Sequence, residues 1–129
     1  MNGNAILDTN ILSSLFNEKE LSLAQKVENS RFYLSVVVLG ELYYGAYKAN
    51  WGLKRLTQLE SLRSSYPILF CDQNTALVYG KIKHQLQQDG HPIPENDIWI
   101  AAQAMQYGLT VVTRDQHFTY VKNLNLEQW

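Results

Sequence analysis

The sequence has 129 residues, enough for one domain with one core, and 46% are hydrophobic against 18% charged, which excludes a disordered chain. A net charge of -1 argues against a strongly basic nucleic-acid binder, and a single cysteine, Cys71, excludes an internal disulfide. The longest apolar stretch, Tyr33 to Leu39, is broken by Ser35 and is far too short to cross a bilayer, and no signal peptide precedes Asp8. These features predict a cytoplasmic protein without membrane association, and a Cys71 that is small, apolar and buried.

Residues 4–7 form a short apolar run that ends in Asp-Thr-Asn, the pattern of a buried strand running into a helix. Helical spacing follows over 10–17 (Leu12, Leu15, Phe16) and 19–28 (Leu21, Ala24, Val27). A second strand is expected at 31–36. Ser35 is placed to cap a helix over 36–48, which reads as apolar nearly all round and hence buried. Asn50 and Gly52 punctuate the chain before a helix at 53–64, with Leu56, Leu59 and Leu62 on one side. A third strand is expected at Pro67 to Cys71. Asp72 then caps a long helix that ends at Gly90, with Thr75, Val78, Tyr79, Ile82 and Leu86 facing inward. The prolines of His91-Pro-Ile-Pro-Glu hold that segment off helix, and Asn96 or Asp97 starts a helix that Gly108 stops after Tyr107. Residues 109–112 are a fourth strand, Thr113-Arg114-Asp115 turns into a short helix, and 124–126 suit an edge strand.

Apolar strands alternating with helices imply an α/β domain over residues 1–129, a parallel sheet of four to five short strands flanked by helices. Ligands of such sheets bind beyond the carboxyl ends of the strands. Asp8 follows the first strand and Asp115 the fourth, while Asp97 opens the helix leading to the fourth. Each, taken alone, is equally well explained as a helix N-cap worth about 1 kcal/mol. Glu41 is harder to explain, because Val38, Leu39, Leu42 and Tyr43 surround it and the nearest cation on its helix face is Lys48. An unpaired buried carboxylate costs several kcal/mol. Gly40 and Gly45 beside it weaken the helix, which points to a backbone or ligand approaching closely.

One pocket holding Asp8, Glu41, Asp97 and Asp115 accounts for all of them. Four carboxylates ionise together only around a cation, and all-oxygen ligation selects Mg²⁺ or Mn²⁺. Zinc is disfavoured, since His84, His91 and His117 lack two-ligand spacing and read as surface or packing residues. Such a site serves phosphodiester hydrolysis, with the Thr9 and Thr113 hydroxyls placed to orient a water or a carboxylate. Local backbone hydrogen bonding would equally explain both threonines. With four acids assigned to a metal, 8 acids face 11 Lys and Arg, leaving +3 to attract a polyanion modestly.

Leu7-Asp8-Thr9-Asn10, Gly40-Glu41-Leu42-Tyr43-Tyr44-Gly45, Asn96-Asp97-Ile98-Trp99-Ile100-Ala101-Ala102 and Val111-Val112-Thr113-Arg114-Asp115-Gln116-His117-Phe118 occur in that order. Together with the ending at Trp129, they resemble the PIN-domain family, specifically the VapC-like toxins of toxin–antitoxin pairs. The resemblance implies a Mg²⁺/Mn²⁺ site at Asp8, Glu41, Asp97 and Asp115, with Asp115 the most variable position. It also implies endoribonuclease activity on an RNA substrate, a homodimer, and inhibition by a small antitoxin whose tail enters the active-site groove. Tyr43, Tyr44 and Tyr47 are expected to serve core packing or a dimer seam before base stacking, and Lys48, Lys54, Arg55 and Arg63 to form a solvated face. A phosphoacceptor receiver domain would need paired acids after strand one, where this chain has Thr9 and Asn10. Two alternatives remain: a catalytically silent PIN fold that only binds RNA or protein, and a structure-specific DNA nuclease with the same site, against which stands the lack of arch or clamp insertions to grip a branched duplex.

Overall fold

A computed structural model describes residues 4–16, 21–50 and 52–129. Five strands, β1 (Ala5–Leu7), β2 (Phe32–Ser35), β3 (Ile68–Leu69), β4 (Thr110–Val112) and β5 (Leu126–Glu127), form one sheet in the order β3-β2-β1-β4-β5. All four pairings are parallel, with Ala5 beside both Phe32 and Thr110. β1 is therefore central, and the chain builds outward on one side of it before crossing to the other. That reversal opens a crevice at the carboxyl ends of β1 and β4.

Helices α1 (Thr9–Phe16), α2 (Leu21–Glu28), α3 (Val36–Lys48), α4 (Gly52–Ser65), α5 (Gln73–Gln88) and α6 (Glu95–Tyr107) cover the sheet. Ala5, Ile6 and Leu7 are sealed completely, as a central strand covered on both faces requires. Ile11, Leu12, Leu34, Val38, Ile100, Val111 and Phe118 extend the same core, each side chain worth roughly 1.5–3 kcal/mol on full burial. Expected helix positions 17, 19 and 20 lie outside the described residues.

Two caps act where the sequence places them. Asp72 accepts from Thr75 N at 3.0 Å while Thr75 Oγ1 accepts from Asp72 N, a reciprocal capping box at the start of α5. Gly90 follows that helix with φ 71°, a left-handed conformation that suits glycine. Ser35 Oγ accepts from Val37 N at 3.1 Å and donates to Oε1 of the fully buried Gln103, whose Nε2 donates to Leu69 O at 3.0 Å. One hydroxyl thus caps α3 and ties it to α6. Ser35→Ala loses the cap and strands a buried amide oxygen, so a loss of about 2–3 kcal/mol is expected in urea unfolding.

Several expectations are corrected. α3 is not apolar all round: Val38, Leu39, Leu42 and Ala46 face the core, while Tyr44 and Tyr47 are exposed. Neither tyrosine packs in the core, whereas Tyr43 is half-buried, stacks on Tyr47 and donates to Glu60. A Cβ at Gly40 or Gly45 would meet nothing within 4 Å, so among the described residues no other segment packs against these glycines. Cys71 is exposed, because β3 is a two-residue edge strand and the chain has left the sheet before the α5 cap. α6 begins at Glu95 behind Pro94, which makes Asp97 a first-turn residue and not a cap. The fourth and fifth strands each start one or two residues later than expected, and the segment after Asp115 is a 3₁₀ turn, Gln116–Tyr120.

Candidate metal centre

Asp8 leaves the sheet directly after β1 and is almost fully buried. Its Oδ2 accepts from Thr113 Oγ1 at 2.7 Å and Asn10 Nδ2 at 3.2 Å, and its Oδ1 from Thr9 N at 2.8 Å. Thr113 follows β4 and also accepts from Asp115 N at 2.9 Å, so one hydroxyl links the two strand ends and both acids. Asn10 Oδ1 accepts from Arg114 N at 3.2 Å, a second tie between the same loops. Arg114 in turn donates to Trp129 O at 2.8 Å, which fixes the turn against the last described residue.

Asp97 stands in the first turn of α6, where the helix dipole favours an anion, and is also nearly sealed from solvent. Asp115 begins the 3₁₀ turn and accepts from His117 N at 2.9 Å, so it acts as a cap while remaining within the cluster. Glu41 reaches in from α3. Its Oε2 accepts from Asn96 Nδ2 at 2.8 Å, and its Oε1 is buried without a hydrogen-bond partner among the described residues. No ion pair reaches it there.

The electrostatics show that these acids share one field. Burial pushes Asp97 up from 3.8 to about 6, with repulsion from Asp8, Asp115 and Glu41 adding to it and His117 opposing. Burial is the main cause of the raised Asp8 carboxyl as well; Thr113 pulls the other way and Asp115 pushes it further up. Glu41 is raised by burial first, offset by Asn96 and the nearby Thr9 hydroxyl, with a push from Asp8. A carboxylate oxygen with no donor, beside two further acids that resist ionisation, suits a divalent cation with oxygen ligands. Among the described residues, the ligand atoms of Asp97, Asp115 and His117 lie within 4.8 Å of one another, while Asp8 and Glu41 stand outside that group and act on Asp97 through their charge.

Sequence reasoning placed the four acids and the two threonines in one region but missed three contacts. Asn10 and Asn96 hold Asp8 and Glu41, and each adjoins a motif acid or threonine, a signal that was available. His117 is not merely a surface residue: its Nδ1 lies 3.0 Å from Asp115 Oδ1 and 3.4 Å from Asp97 Oδ2. Its signal is the Asp-x-His spacing in a tight turn. His91, by contrast, packs as expected, stacked on Tyr120.

Residues 5–124 match the PIN domain model, and the chain belongs to the PIN-domain family. Within that family it is similar to ribonuclease VapC2 of Haemophilus influenzae, 32% identical with 96% of each chain covered. It is equally similar, at 32% identity and 96% coverage of each chain, to the tRNA(fMet)-specific endonuclease VapC of Shigella flexneri. The fold agrees with a chain in the crystal structure of VapBC2 from Rickettsia felis bound to a fragment of promoter DNA. That match has a TM-score of 0.90, 30% identity and 98% coverage of each chain. The likeness confirms the α/β architecture, a parallel sheet flanked by helices. No described helix is long and apolar enough to cross a membrane.

Proposed function

We propose that residues 1–129 form one PIN domain that acts in the cytoplasm as a Mg²⁺- or Mn²⁺-dependent endoribonuclease, the toxin of a toxin–antitoxin pair. Its partners are an RNA substrate, a small antitoxin and a second copy of the chain. The observation that carries the reading is a knot of acids beyond the strand ends: ligand atoms of Asp97, Asp115 and His117 lie within 4.8 Å of one another, and Asp8 and Glu41 repel Asp97 from beside them. The VapC relatives, a ribonuclease and a transfer-RNA endonuclease, support RNA as the substrate. Similarity to a chain of a VapBC complex supports a partner protein.

In this reading Asp8, Glu41, Asp97 and Asp115 would hold the metal, which would supply Lewis acidity to a water and a phosphoryl oxygen. Thr113 and Asn10 fix the Asp8 carboxylate by two hydrogen bonds to its Oδ2. Asn96 fixes Glu41 through Oε2 and leaves Oε1 without a hydrogen-bond donor from Asn96. Thr9 Oγ1, buried beside Glu41, can turn to that carboxylate, a water or a substrate oxygen. Tyr44 and Tyr47, exposed on the helix that carries Glu41, offer flat faces to unpaired bases. No observation favours the silent alternative.

The test is cleavage of a mixed RNA pool containing transfer RNA, with the cut ends mapped. EDTA is expected to abolish the cuts, and added Mn²⁺ or Mg²⁺ to restore them. Cutting that persists in EDTA, or is rescued by zinc alone, contradicts the oxygen-ligand site.

A further inference from the structure

We propose that Nδ1 of His117 is a direct ligand of the divalent cation, making the centre a mixed nitrogen–oxygen site. The inference rests on the metal reading above and names a donor outside its four acids. Nδ1 lies 3.0 Å from Asp115 Oδ1 and 3.4 Å from Asp97 Oδ2, and the three ligand atoms lie within 4.8 Å of one another. In an octahedral shell with bonds of about 2.1 Å, neighbouring donors stand roughly 3 Å apart. The two short separations are those of ligands adjacent on one ion.

The backbone holds the imidazole there independently of any ion. His117 N donates to Asp115 Oδ1 at 2.9 Å, which closes the turn and folds position 117 back over 115. Phe118, next in the chain, is fully buried and anchors the 3₁₀ turn in the core. The half-exposed His117 side chain is therefore presented beside Asp115 and Asp97 by a fixed segment.

A simple hydrogen bond from the imidazole to Asp115 has the same 3.0 Å separation, so the two roles must be told apart by what the metal feels. A nitrogen donor also shifts preference along the divalent series, favouring Mn²⁺ and later ions over Mg²⁺. Losing it is expected to weaken Mn²⁺ binding by about tenfold or more while changing Mg²⁺ binding less.

The experiment is electron spin-echo envelope modulation on the full chain loaded with Mn²⁺ alone, together with Mn²⁺ and Mg²⁺ titrations, for wild type and His117→Ala. The expected result is a directly bound ¹⁴N coupling in wild type. His117→Ala should remove it while the variant still binds Mn²⁺, with a reduced Mn²⁺-to-Mg²⁺ preference. Bound Mn²⁺ with no directly coupled nitrogen in wild type, or an unchanged coupling in the variant, overturns the inference and leaves the four-acid site standing. Failure of the wild type to bind Mn²⁺ at all overturns the four-acid site, and this ligand with it. The wild-type spectrum decides the matter even if the variant folds poorly.

Discussion

Asp97→Asn is expected to lower metal-dependent RNA cleavage by more than about 100-fold while leaving the fold intact. The bound follows from the residue's position. Removing groups that only orient a ligand typically costs about 10–100-fold in affinity or activity. Asp97 is proposed as a ligand itself, and the charges of Asp8, Asp115 and Glu41 all act on it. Asparagine keeps the volume and most hydrogen bonding in the first turn of α6 but removes the charge. The helix should survive, because Asp97 is not its cap and the adjoining Ile98, Ile100 and Ala101 remain buried. Asp8→Asn should behave likewise, since Thr113 and Asn10 already hold that side chain. Rates measured with Mn²⁺, beside circular dichroism of both variants, check the expectation. Cleavage retained in both would sink the assignment of the site.

The elements that sequence reasoning located well are those whose signals are local. The helix α5 is marked by a cap at Asp72, a glycine at 90 and apolar residues at helical spacing, all within one stretch. Glu41 stood out because a charged group among valines and leucines has few inexpensive explanations. The sequence marks the residues that hold the acids but not which acid each one meets, because two of the pairings join distant positions. Asn96 meets Glu41 across 55 residues, and Thr113 meets Asp8 across 105. His117 was discounted on spacing to other histidines, whereas its partners are carboxylates from another helix and from its own turn. The exposed tyrosines of α3 defeated the apolar count, since a tyrosine adds to a hydrophobic pattern yet tolerates water through its hydroxyl. Cys71 failed for a different reason: the apolar run Pro67 to Cys71 is longer than the two residues the sheet pairs at that edge.

The same acids should make the metal-free protein less stable as pH rises through the range between about 4 and 6. Asp97 has a folded-state pKa of about 6 against an ordinary 3.8, so between those values the native state binds more protons than the unfolded chain. Stability then falls with increasing pH, opposite in sign to a salt-bridged aspartate, and the loss is complete above the folded pKa. Asp8 and Glu41 are raised as well and act in the same direction. Asp97→Asn should remove most of this slope and raise the thermal midpoint of the metal-free protein by several degrees at neutral pH. Glu41→Gln should also be neutral or stabilising, because no ion pair among the described residues holds Glu41. Mn²⁺ should stabilise the wild type more than either variant, since binding to the native state alone raises its stability by mass action. Thermal melts in EDTA at pH 4.5 and 7.5, repeated with Mn²⁺, provide the check. If Glu41→Gln or Asp97→Asn instead melts far below wild type without metal, the acids serve an internal ion-pair network. Repulsion relieved by a cation would then no longer explain the site.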